Sequence, residues 1–234
     1  IAYDDGTTAR LGKNHFVMTT TTANAALVFR RLEFARQCLW PGLDVHLIST
    51  TDGWAQFAVA GPNARKLLSK EVDTPFNLSN EAFPFMACGL LTECKGTAAR
   101  LFRISFSGEL AYEISIPAKY GNSMMDVLMK AGKEFDVTPY GTEALSVMRI
   151  EKGHVAGNEL NGQTTPLNLG LEGLVSQKKD CIGKVLSQRL ELNTTDAPRL
   201  VGCKPINRSD SLLAGSLFIT KGDAAKMEND QGWI

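Results

Sequence analysis

Residues 99–116 alternate more regularly than any other part of this chain. Phe102, Ile104 and Phe106 fall on every second position, Ser107-Gly108-Glu109 interrupts them, and Leu110, Tyr112, Ile114 and Ile116 resume the pattern. A period of two sends apolar side chains to one face of a strand. The run therefore predicts two antiparallel strands joined by a three-residue turn. An apolar sheet face has to be covered, and the following segments offer the cover. Tyr120, Met124, Val127, Leu128 and Ala131 repeat at helical spacing up to Gly132, and a second helix is expected over 142–152 with Thr142 as its N-cap.

The rest of the chain reads as further hairpins and helices. A strand is expected at 15–20, then a helix at 23–40 on Val28, Leu32, Ala35 and Leu39, stopped by Pro41-Gly42. Strands at 44–51 and 54–60 flank Asp52-Gly53, a strong hairpin signal, and Gly61-Pro62-Asn63 starts a short helix through Leu68. Asp180 is placed as the cap of a helix to 191, residues 192–198 as a linker-like break, and 199–206 and 215–220 as strands. Hairpins dominate over βαβ crossovers, so the expected class is α+β with antiparallel sheets and packed helices.

Composition narrows the function classes. The 234 residues carry 25 Lys plus Arg against 25 Asp plus Glu, a formal net charge of zero. Such a balance gives no long-range pull toward a phosphate backbone or an anionic leaflet, so neither nucleic acid nor membrane is an expected partner. No run approaches the ~20 apolar residues of a bilayer span. Cys38, Cys88, Cys94, Cys181 and Cys203 show no CxxC spacing, and His15, His46 and His154 never pair on one helical turn, so no metal is expected. A reducing, cytoplasmic compartment fits these thiols. The start at Ile1 and the close on Asp-Gln-Gly-Trp-Ile read as cut ends. Phosphate loops, dinucleotide fingerprints and nucleophile elbows are absent.

What remains is charge in unexpected places. Asp4-Asp5, before Gly6 and a Thr pair, is either a solvated turn or a carboxylate held for proton or cation chemistry. Glu113 lies mid-strand with Ala111 and Ser115, on the face opposite Tyr112 and Ile114. It is either an outward surface acid or, if that face lines a cavity, an acceptor for two parallel N–H donors. Arg149 and Glu151 sit in an otherwise apolar helix, as a surface pair or as part of a ligand site.

Taken in order, these segments resemble the folate-binding aminomethyltransferase family, which includes the glycine-cleavage T-protein and relatives fused to amine oxidases. The resemblance is carried by Tyr-Asp-Asp-Gly-Thr-Thr-Ala-Arg-Leu-Gly (3–12), the Thr19–Thr22 run and Trp-Ala-Gln-Phe-Ala-Val-Ala-Gly-Pro-Asn-Ala (54–64). It continues through residues 102–114, 139–153, Thr-Thr-Pro (164–166) and Lys-Lys-Asp-Cys-Ile-Gly-Lys (178–184). It implies a cloverleaf-like arrangement around a folate channel. The aminomethyltransferase-like core would be residues 1–157, without the family's opening segment. A connecting segment would follow at 158–198, and 199–234 would start a truncated C-terminal β-barrel.

The resemblance also implies roles. Asp5 maps to the catalytic carboxylate of the Asp-Asp motif, Glu113 to the acid that meets the pterin ring, and Arg149 to the Arg of Leu-Arg-x-Glu, with Met148 replacing the Leu. Phe106 stands where many T-proteins have Tyr, a Thr replaces an Asn near 19–22, and the segment after Lys152-Gly153 is one residue shorter. These departures point to the branch fused to amine oxidases. Tetrahydrofolate would bind here, while flavin and NAD would sit on other segments or on flavin-bearing oxidase subunits. In this reading a one-carbon unit from an oxidised N-methyl amine passes to tetrahydrofolate, and Asp5 stabilises the cation that forms. Glu113 and Asp5 are expected to open into one nearly dry tunnel. Two alternatives stay open: a free-standing aminomethyltransferase acting on a lipoyl carrier, and a non-catalytic folate-binding or subunit-docking domain.

Overall fold

In the computed structural model, described for residues 1–72, 77–94, 96–160 and 162–234 with the side chains of 92 and 93 apart, the chain divides into two compact units. One comprises residues 4–158; the other joins residues 1–3 to 159–234.

The first unit is built on a four-stranded antiparallel sheet. Its strands are β3 (Trp54–Ala60), β4 (Cys88–Cys94), β5 (Thr97–Phe102) and β6 (Ala111–Pro117), in the order β3-β6-β5-β4. A separate hairpin precedes it, β1 (Thr8–Gly12) with β2 (His15–Met18). Helices α1 (Ala25–Phe34), α2 (Ala64–Glu71), α3 (Gly121–Gly132) and α4 (Thr142–Lys152) complete it. The α+β class with antiparallel sheets and packed helices is the class observed.

Alternation in β6 decides where the core sits. Tyr112, Ile114 and Ile116 are at most 1% exposed and pack with Val59, Leu67, Leu68, Leu101, Met124 and Leu128. Helices α2 and α3 lie on this face and on each other. Each such side chain contributes about 1.5–3 kcal/mol by leaving water. Gly132 lets α3 end against its own continuation, since a Cβ there would lie 2.3 Å from Val137 Cγ1. α3 ends at Gly132 as expected, but through a following 3-10 turn, and the chain turns left-handed only at Asp136 (φ 54°).

Several sequence expectations are corrected. Residues 44–50 form no strand, and Asp52-Gly53 belongs to a 3-10 turn over Thr51–Gly53, so β3 pairs with the distant β6 instead of a chain neighbour. The hairpin of β5 and β6 is real, but residues 103–110 form a longer loop. Its register, Phe102 opposite Glu113, is one residue away from the pairing a three-residue turn would set. Thr142 is the first residue inside α4, and Gly141 holds the N-cap position without a side-chain bond. The expected helix at 23–40 is divided: a 3-10 turn at Thr22–Asn24, α1, then a wider π turn at Ala35–Leu39, where the Trp40 N–H reaches the Ala35 carbonyl at 2.8 Å.

The second unit is dominated by turns. The expected helix from Asp180 to 191 shrinks to one turn, α5 (Lys184–Ser187), entered through left-handed Gly183 (φ 86°). Residues 199–206 are not a strand; the Leu200 N–H donates to the Asn168 carbonyl at 2.7 Å, and Arg199 Nη1 donates to the Leu167 carbonyl at 2.7 Å. Two two-residue strands, β7 (Leu217–Phe218) and β8 (Gly232–Trp233), pair antiparallel, and no closed barrel forms among the described residues.

Candidate functional site

The Asp4-Asp5 pair sits where the chain enters β1, facing the start of α1. Asp4 is tied down: Oδ1 accepts from the Gly6 N–H at 2.9 Å and the Thr21 N–H at 3.1 Å, and Oδ2 accepts from Asn24 Nδ2 at 3.1 Å. Asp5 is left as the presented acid, with the Thr21 hydroxyl donating to its Oδ1 at 3.3 Å. Its carboxyl is held above the ordinary aspartate range, chiefly by loss of hydration and further by the adjacent Asp4 charge; hydrogen bonds and His154 pull the other way. The turn depends on Gly6, because a Cβ there would lie 1.9 Å from the Thr19 carbonyl oxygen. Thr21, read in sequence only as part of a Thr run, is the residue that touches both acids.

Glu113 lies on the sheet face away from the core. Its backbone is paired with Ala58 on β3 and Phe102 on β5, so small and apolar neighbours flank it. Gln56 Nε2 donates to its Oε2, and the Ser115 hydroxyl, in a residue 3% exposed, donates to Gln56 Oε1 at 3.2 Å. Burial raises the carboxyl above the usual glutamate range against the opposing pull of the Gln56 bond. Tyr140 is near: loss of hydration and the Glu113 charge both keep its phenol protonated. Glu113 is therefore no outward surface acid.

Glu113, Phe106, Ser107, Tyr140 and Leu145 line a cavity of about 60 Å³. That volume is well below the roughly 300–1,000 Å³ of complete small-molecule sites. The cavity lining offers one carboxylate that can accept N–H groups, one phenol that can donate and one aromatic face.

Phe106 connects the two acids. Its ring stacks on His154 with centroids 5.8 Å apart and planes 21° from parallel, and His154 is one of the groups that pull the Asp5 carboxyl down. Arg149 Nη1 donates to the His154 carbonyl at 3.3 Å, just beyond left-handed Gly153 (φ 84°), which ends α4. Asp5 itself does not line the Glu113 cavity and stays exposed. The arrangement is thus a line of groups, Asp5 to His154 to Phe106 to Glu113, and not the single dry tunnel expected. His154 and Gln56 were not singled out from the sequence. A lone histidine after a helix and a glutamine mid-strand carry no signal until the register places them.

Comparison with known proteins identifies the family. A family model described as the GCVT N-terminal domain matches residues 1–179. The chain belongs to the GCVT family. It is 53% identical over 234 residues to the sarcosine oxidase subunit alpha of Rhizobium meliloti (strain 1021), covering 99% of this chain and 24% of that protein. It is 32% identical over 185 residues to human mitochondrial dimethylglycine dehydrogenase, covering 78% of this chain and 21% of that protein. The crystal structure of glycine cleavage system aminomethyltransferase T from Bartonella henselae superposes with a TM-score of 0.62 at 23% identity, over 74% of this chain and 44% of that one. The GCVT-family chain thus has an aminomethyltransferase-like fold and spans about a quarter of the sarcosine oxidase alpha subunits it matches. Among the described residues there is no cluster able to hold a metal ion, and no helix long and apolar enough to cross a membrane.

Proposed function

We propose that this chain is the tetrahydrofolate-binding domain of a sarcosine oxidase alpha subunit, passing the carbon of an oxidised N-methyl amine to folate. The observation that carries the reading is Glu113: a partly buried carboxylate, bonded by Gln56 and facing a cavity with Phe106 and Tyr140. An acid kept there against its burial cost needs a partner with N–H donors. The edge of a pterin ring has them. Tetrahydrofolate, when bound, supplies the nucleophilic nitrogens that take up the one-carbon unit and yield 5,10-methylenetetrahydrofolate.

The chain's own residues divide the remaining work. Glu113 anchors the ring edge, and Phe106 offers it a flat apolar neighbour. Asp5 places a negative charge where positive charge develops. Asp4 fixes the turn that presents Asp5. Arg149, bonded to the His154 carbonyl, holds the segment that carries His154. Flavin, NAD and flavin-bearing oxidase subunits belong to other segments or chains in this reading, and the compartment is cytoplasmic.

The test is anaerobic calorimetry of the full-length protein with tetrahydrofolate. Binding that weakens by about ten- to a hundred-fold in Glu113→Ala is the expected result, the worth of hydrogen bonds to a charged group. Equal titration curves for the two proteins would overturn the reading.

A further inference from the structure

Gln56 has no place in the roles above, yet it is the residue that bonds the Glu113 carboxylate. Pairing of β3 with β6 sets Gln56 opposite Ser115 and Ala58 opposite Glu113. Gln56 is therefore diagonal to Glu113, within reach of a long side chain across the strands. Its amide has two distinct ends, and both are engaged. Oε1 accepts from the Ser115 hydroxyl at 3.2 Å, and Nε2 donates to Glu113 Oε2. The reverse amide orientation would set an oxygen against the carboxylate, acceptor against acceptor. Ser115 is buried in the sheet, so the amide is held from the inside while Gln56 itself lies at the exposed rim.

We propose that Gln56 is a positioning residue that, oriented by Ser115, aims the Glu113 carboxylate and keeps it an ionised acceptor for the ligand's ring edge. The inference rests on the ring-anchoring reading of Glu113. Burial favours the neutral acid, which would present a proton to the N–H donors it has to accept from. A fixed N–H from Gln56 opposes that. No other group does so from the neighbouring elements. β3 offers Trp54 and Ala58 on this face. β5 offers Phe102 and Arg100, whose guanidinium stacks on Trp54 at 3.7 Å from the ring centre. The segment before α4 offers Tyr140, whose phenol is neutral, and α4 itself offers Leu145. Among the described residues Gln56 is the one side chain with a hydrogen bond to Glu113.

The experiment follows tetrahydrofolate affinity from about pH 5 to about pH 9 in the full-length protein, with Gln56→Met, Ser115→Ala and Glu113→Gln alongside. Met keeps the length and apolar stem of Gln at an exposed position, and thermal melting checks that each variant folds. The expected result for Gln56→Met is about a tenfold loss at neutral pH, together with an acid limb moved to higher pH. Ser115→Ala moves the limb the same way by less. An affinity lowered equally at every pH, or unchanged while Glu113→Gln binds weakly, overturns the Gln56 role alone. A wild-type protein that ignores tetrahydrofolate, or a Glu113→Gln variant that binds it normally, overturns the ring-anchoring reading as well.

Discussion

Asp4 and Asp5 are chain neighbours with opposite surroundings: Asp4 accepts hydrogen bonds on both carboxylate oxygens from Gly6, Thr21 and Asn24, while Asp5 meets the Thr21 hydroxyl and remains exposed. The contrast predicts separable phenotypes. Asp5→Asn keeps the fold and should slow one-carbon transfer by about a hundred- to a thousand-fold, with folate affinity within a few-fold. Rapid-quench measurement of transfer checks it, and an unchanged rate refutes the assignment.

Asp4→Ala should act on stability first. It strands two backbone N–H groups and the Asn24 amide, at a cost of about 2–3 kcal/mol in this partly buried turn. Denaturant titration reads that loss. A variant as stable as wild type but catalytically dead would reverse the division of labour between the two acids.

Glu113 predicts opposing pH trends. Burial lifts its folded pKa above the ordinary 4.5, so the folded protein binds the proton more tightly than the unfolded chain does. Its contribution to stability therefore declines as pH rises from about 4.5 through the folded value. Affinity for N–H donors rises over the same window. Glu113→Gln should remove both slopes, gaining stability relative to wild type toward neutral pH while losing folate. Melting temperatures across that range test it; parallel curves would mean that the carboxyl titrates alike folded and unfolded.

Gly6→Ala should damage the Asp5 turn, since the added Cβ would stand 1.9 Å from the Thr19 carbonyl oxygen, a backbone atom with little room to yield. A loss of about 1–3 kcal/mol or more follows from such overpacking, with transfer activity falling in step. A variant of native stability would show that the N-terminal turn relaxes freely.

Much of this was legible in the chain. The alternation over 110–116 assigned Glu113 to the face away from Tyr112 and Ile114, and the helix expected at 142–152 is found at Thr142–Lys152. Those are local signals, written within a few residues. The partner of β3 was not legible, because Asp52-Gly53 offers a hairpin that the sheet declines in favour of a strand more than fifty residues away. Gln56 and His154 were missed for the same reason: each acquires meaning only from a residue brought near by tertiary pairing. Nor does any local pattern say that Phe106 leaves the strand and turns its ring onto His154.

The strand β6 carries the sealed side chains Tyr112, Ile114 and Ile116 on one side and Glu113 and Ser115 on the other. If Glu113 anchors the ring as proposed, recognition there is coupled to the stiffness of the hydrophobic interior behind it. The strand that carries the carboxylate cannot shift toward a misfitting guest without disturbing close-packed rings and aliphatic chains, so selectivity would be inherited from the core. A conservative trim such as Ile114→Val, far from any guest molecule, should then surface as looser discrimination between ring systems.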